Sequence, residues 1–156
     1  PVVTHTREAV GERVADWAVE PILVEAESDK IAAFATANAA LAASGTATLE
    51  LGMAGLPSVI AYKMGGLMGE LLMRVLRVPS AVIVNLVLDA PVMQEFLEDR
   101  CTADLMTPAV CDLLQDDGLN RAKRLQLAPL AEVLGSPGES PAARAAEIIA
   151  SLIKIP

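Results

Sequence analysis

Between Ala39 and Tyr62 two short apolar runs, Ala39-Ala40-Leu41-Ala42-Ala43 and Ser58-Val59-Ile60-Ala61-Tyr62, enclose a segment punctuated at both ends. Ser44-Gly45 stops the first run, Thr46 to Ala54 reads as a helix, and Gly55 closes it two residues before Pro57. Glycine supplies the left-handed conformation of a helix C-cap, and proline cannot carry a helix onward. An apolar run of five is by itself ambiguous between helix and strand. Set between helices and cut by a glycine turn, each run reads as a strand. Strand, helix, strand with continuously apolar strands predicts a parallel sheet covered by helices on both faces.

The same order extends along the chain. Pro1-Val2-Val3 reads as the end of a strand, and Arg7 to Val19 as a helix with its stripe on Val10, Val14, Trp17 and Ala18. Ile22-Leu23-Val24 after Pro21 reads as a buried strand, and Ser28 as the N-cap of a helix running to about Ala37. Beyond the central unit we expect a helix over Leu67–Leu76 and a last strand over Ala81–Val84. Helices over Pro91–Leu97, Thr102–Leu114, Leu119–Leu134 and Pro141–Ile153 complete the chain, with Thr102 and Ser140 as caps. The expectation is a small Rossmann-like α/β domain of about four strands over residues 1–135, ending in helices. Gly135-Ser136-Pro137-Gly138 breaks the chain before a final helix, within residues 138–156, that packs back on a domain or on a partner chain.

Composition removes whole classes of function. With 53% hydrophobic residues the chain has material for a packed core, and a net charge of −8 argues against a nucleic-acid binder. Cys101, Cys111 and His5 are all the cysteines and histidines, so no zinc site can be assembled without carboxylates, and a His-dependent nucleophilic site would have to use His5. Two thiols match the reduced usage of a cytosolic protein. The longest uncharged run, Ile31 to Leu49, carries Asn38, Ser44, Gly45 and several threonines, which makes it a poor membrane span.

In open parallel sheets, ligands gather beyond the carboxyl ends of the strands. Three such ends stand out: Ser44-Gly45-Thr46, Lys63-Met64-Gly65-Gly66, and Asn85. Gly45 permits close approach to the backbone, the amides of the following helix favour an anion, and the hydroxyls of Ser44, Thr46 and Thr48 add donors. Glu50, one turn on, is placed to accept from paired sugar hydroxyls. Taken alone, the segment reads more simply as a capped helix start with one solvated glutamate. Lys63 is equally a surface cation or a counter-charge for a diphosphate, and Asn85 a turn residue or a substrate hydrogen bond. Gln94 and Glu95 read first as solvated, and Met64, Met68 and Met73 as core.

In order and spacing, several segments together resemble a known family. They are Ala42-Ala43-Ser44-Gly45-Thr46-Ala47-Thr48-Leu49-Glu50, Ala54-Gly55-Leu56-Pro57 and Ala61-Tyr62-Lys63, then Arg77-Val78-Pro79 and Val84-Asn85-Leu86, then Pro91-Val92-Met93-Gln94-Glu95-Phe96-Leu97 and Cys101-Thr102. The series resembles the C-terminal half of the bacterial lipid-A-disaccharide synthases from about Val2 to Leu152. The resemblance implies the donor half of a two-domain, GT-B inverting glycosyltransferase. Such an enzyme joins UDP-2,3-diacylglucosamine to 2,3-diacylglucosamine 1-phosphate (lipid X) and releases UDP, at the cytoplasmic face of the inner membrane. It assigns donor-diphosphate contacts to Ser44, Gly45 and Thr46, with Lys63 balancing their charge, and ribose hydroxyls to Glu50. Asn85, as the catalytic-site residue of this half, would face the glucosamine or its phosphate with Gln94 and Glu95. No metal or other cofactor is implied.

The pattern departs from the family where an N-terminal acceptor domain with its general-base carboxylate, a first strand and a Gly-Ser-Arg phosphate loop would stand. The expectation is therefore a piece that does not catalyse transfer alone, with an exposed edge inviting self-association or element exchange between chains. Two other readings fit the residues: a UDP-N-acetylglucosamine 2-epimerase-like enzyme, and a non-catalytic α/β interaction domain. The former would call for histidines or a Gly-Gly-Glu-type motif near the sugar, and this chain has neither there.

Overall fold

The computed structural model describes residues 4–63, 79–135 and 141–152. They fall into two compact units, residues 1–36 and 37–156. The expected strand end at Pro1–Val3, the helix over Leu67–Leu76, Met64, Met68, Met73, Arg77-Val78, Ser136 to Gly138 and the Ser140 cap lie outside the described residues. The first unit contains α1 (Thr4–Val14) and α2 (Glu27–Thr36). Here Ser28 falls inside the first turn of α2 rather than at its cap, and its hydroxyl lies 3.3 Å from the Asp29 carboxylate. Arg7 and Glu25 form an exposed ion pair at 2.9 Å. Pro21–Val24, expected as a strand, carries no regular secondary structure, with Ile22 91% exposed. An apolar run becomes a strand only when a neighbour completes its ladder, and the described residues of this unit include no second strand.

The second unit is built on a parallel three-stranded sheet, β1 (Ala40–Ala43), β2 (Ser58–Tyr62) and β3 (Gln94–Leu97), in that spatial order. Ala40 pairs with Ser58 and Val59 with Gln94, so β2 is central. Helix α3 (Ala47–Met53) makes the crossover between β1 and β2. Its end is a Schellman motif: Gly55 N–H donates to Gly52 O, Leu56 N–H to Leu51 O, and Gly55 sits at φ +63°. This is the left-handed cap that the Gly-Leu-Pro sequence predicts.

Two elements exchange identity relative to expectation. Ala81–Val84 is not a strand: Val82 is the extended N-cap of helix α4 (Ile83–Val87). Pro91–Leu97 is not a helix: its second half is β3. The physical reason lies in the backbone. Ala81 N–H is taken by the Glu95 carboxylate and its C=O by the Ser44 hydroxyl, so neither group is available to a ladder. Both backbone groups of Met93 are held by the Asn85 side chain, so neither can join a helical ladder through this stretch. Phe96 then packs with Val59, Ala109 and Leu113 as the core of one sheet face.

The remaining helices are α5 (Ala103–Gln115), α6 (Asp117–Leu127), α7 (Leu130–Leu134) and α8 (Pro141–Leu152). Thr102 occupies the cap position of α5 without a side-chain bond, whereas Asp116 caps α6 by accepting from Leu119 N–H at 2.9 Å. The single helix expected over Leu119–Leu134 is divided between α6 and α7, because Pro129 has no N–H to continue the ladder. No described helix is long and apolar enough to cross a membrane.

Among the described glycines, Gly52 leaves the least room for a side chain. A Cβ there would stand 2.6 Å from Leu130 Cδ2 on α7 and 3.0 Å from Val84 Cγ2 on α4. Gly52→Ala is therefore expected to destabilise by about 1–3 kcal/mol, overpacking outweighing the helix propensity gained. Urea denaturation reads this directly, and a gain in stability would show that the three helices can part at little cost.

Candidate functional site

The glycine turn lies at the carboxyl end of β1. Ser44 N–H donates to Ala61 O at 3.2 Å, prolonging the pairing with β2 by one residue. Gly45 then adopts φ +153°, and a Cβ built on it would meet nothing within 4 Å. Gly45 and Thr46 are both exposed, so the turn lies at the surface. The first helical amide bond is Thr48 N–H to Gly45 O, so the amides of Gly45, Thr46 and Ala47 precede the hydrogen-bond ladder of α3.

Of the three hydroxyls expected around this turn, two are spent on carbonyls. Thr48, fully buried, donates to Gly45 O at 2.7 Å, and Ser44 donates to Ala81 O at 2.8 Å. Thr46 is exposed and makes no side-chain cap bond. Glu50 lies on the exposed side of α3, one turn into the helix, and Lys63 is exposed just beyond the carboxyl end of β2. Ser44, Gly45, Thr46 and Lys63 therefore share the carboxyl edge of the sheet, with Glu50 one turn away.

Asn85 and Glu95 stand elsewhere, in a polar network behind that edge. Asn85 is 4% exposed. Its Nδ2 donates to Met93 O at 2.8 Å and to the Glu95 carboxylate at 3.3 Å, while its Oδ1 accepts from Met93 N–H at 2.8 Å. Glu95 accepts also from Ala81 N–H at 2.9 Å and from the Ser80 hydroxyl. Ala81 connects this network to Ser44, so Ser44, Asn85 and Glu95 belong to one chain of hydrogen bonds. Ser80 and Ala81 complete it. Nothing in their sequence context beyond a Pro-Ser turn signal marks them.

Gln94 is separated from Glu95 by the pleat, since successive strand residues face opposite sides. It lines a cleft of about 70 Å³ with Ser58, Asp112, Leu113 and Lys123, against α5 and α6. Partial burial pulls the Lys123 ammonium below the usual lysine range. The cleft lies at the amino ends of β2 and β3, the opposite edge from Gly45.

Comparison with known proteins matches the amino-acid sequence to one family. A family model described as lipid-A-disaccharide synthetase matches residues 1–148. The lipid-A-disaccharide synthase of Bradyrhizobium diazoefficiens is 37% identical over 99% of this chain and 39% of its own length. Those of Nitrobacter hamburgensis and Paramagnetospirillum magneticum are 40% and 38% identical, over 93% and 99% of this chain and 37% and 40% of their own lengths. The chain thus spans about two-fifths of the relatives it matches. With a match across 148 of its residues, a parallel α/β sheet and an exposed glycine turn at its carboxyl edge, the chain belongs to the lipid-A-disaccharide synthetase family.

Proposed function

We propose that this chain is the donor-binding part of a GT-B inverting glycosyltransferase joining UDP-2,3-diacylglucosamine to 2,3-diacylglucosamine 1-phosphate, at the cytoplasmic face of the inner membrane. One observation carries the reading: the family match runs through the Ser44-Gly45-Thr46 turn, and that turn is exposed at the carboxyl end of β1, the edge where parallel sheets receive ligands. The backbone around Gly45 would cradle the donor diphosphate, Lys63 would offset its charge, and Glu50 would accept from the ribose hydroxyls. As UDP leaves, negative charge grows on the β-phosphate, and amides already in place stabilise it without a metal ion. Losing one such donor costs on the order of 10²-fold in rate. The general base would come from the acceptor half, so this chain alone should not catalyse transfer.

The hydrogen bonds of Asn85 favour an indirect part for that residue. It supports the loop behind the turn, and the sugar would meet the turn itself. Gln94, on the far face, fits the donor site less well than Ser44 or Glu50 does. The competing readings, an epimerase-like enzyme and a non-catalytic domain, have no counterpart in the family match.

Titration of the 15N-labelled chain with UDP tests the assignment. Amide shifts are expected at Gly45, Thr46, Ala47 and Glu50, with Gln94 and Lys123 unmoved. Shifts centred on Lys123 would relocate the site to the other edge of the sheet, and an unperturbed spectrum at millimolar UDP would leave the non-catalytic reading ahead.

A further inference from the structure

We propose that Glu95 is a positioning residue for the glycine turn, acting through Ala81 rather than by touching a ligand. Glu95 is a half-buried carboxylate in a sheet strand, and its described partners are all neutral donors: Ser80 O–H, Ala81 N–H at 2.9 Å and Asn85 Nδ2–H at 3.3 Å. Asn85 is locked in turn by Met93. Ala81 holds Glu95 with its N–H and Ser44 with its C=O, the latter at 2.8 Å. It is a one-residue strut between a strand held in register by its pairing with β2 and a turn that follows the carboxyl end of β1. Removing the carboxylate frees one end of the strut, and Ser44 loses the fixed carbonyl that seats it.

Only an acceptor on both oxygens satisfies this site. Glutamine, nearly the same shape, offers one oxygen and one NH2 group. Turned one way its NH2 meets Ala81 N–H; turned the other it meets the Asn85 amide. Either orientation sets donor against donor and breaks one side of the network. A glutamate that merely bound a sugar hydroxyl would not show this intolerance, since an amide can serve there.

The test uses the full-length protein with Glu95→Gln, Ser44→Ala and the pair combined, and its kinetic arm rests on the donor-binding reading above. In E95Q the KM for the UDP-sugar should rise roughly tenfold, as for one lost charge-assisted hydrogen bond, while the acceptor KM stays unchanged. Hydrogen exchange at residues 43–49 should quicken in E95Q and in S44A. The double variant should be no worse than the worse single, because both changes release the same strut. Unchanged exchange at residues 43–49 in folded E95Q, or effects that add in full, would overturn the proposal. Wild-type protein that neither transfers sugar nor binds UDP would sink the donor-binding reading, and the exchange measurement would still decide the strut. Should E95Q not fold, S44A carries the test from the other end: faster exchange at residues 80–82 supports the strut, and none refutes it.

Discussion

Asn85→Ala is expected to lower the stability of the unit formed by residues 37–156 by about 3–5 kcal/mol. The substitution orphans two backbone groups at once, Met93 N–H and Met93 C=O, each now held by the Asn85 amide at 2.8 Å. A buried polar group left without its partner costs about 1–3 kcal/mol, and the void of the lost amide adds to this. Glu95 loses a donor as well. Thermal unfolding should show a fall of more than about 10 °C. A loss below about 1 kcal/mol would mean that water or a backbone shift replaces the side chain, and that the clamp is not what orders the approach to β3. The result bears on function too. Lost activity in such a variant would report the folded fraction before it reported contact with a sugar, so rates must be set against the amount of native protein.

Arg124→Met should cost about 2–4 kcal/mol, the loss of several charge-assisted hydrogen bonds partly screened by water. From α6 the guanidinium reaches Ala37 O at 2.9 Å, just ahead of β1, and Gly55 O at 3.2 Å, at the end of α3. Its Nε holds Asn120 Oδ1 at 2.9 Å, which leaves the Asn120 amide to donate to Asn38 O and Leu113 O. Two side chains on one helix thus secure the entry to β1, the cap of α3 and the end of α5. Methionine keeps the aliphatic volume and removes every donor. Arg124→Lys should rescue little, because one ammonium cannot span carbonyls arranged for a planar fork. Chemical denaturation of the wild type and the two variants decides this, and an Arg124→Lys variant as stable as wild type would reduce the arginine to a surface charge.

How far the site could be read from sequence depends on where each hydrogen bond closes. The glycine turn, the Schellman cap at Gly55 and the strands on either side were legible because their signals are local. Turn chemistry and helix caps are satisfied within about six residues of chain. The exchange between Ala81–Val84 and Pro91–Leu97 was not legible. Both stretches are short and apolar, and such runs carry no period that separates helix from strand. Asn85 reads from sequence as a turn residue or a substrate hydrogen bond, and its clamp on Met93 is not legible there, because that partner lies eight residues further along a loop that has no regular pattern.

By itself the amino-acid order determined the α/β class, the parallel pairing of β1 with β2, the turn at Gly45 and the kinship of the chain. Each follows from residue types acting on their near neighbours or from a series of motifs in register. The tertiary structure alone decided which apolar run became β3, that Asn85 and Glu95 turn inward, and that Arg124 stitches three elements together. Those outcomes rest on bonds between side chains and distant carbonyls or amides, and a buried polar group finds such a partner only once the chain has folded around it.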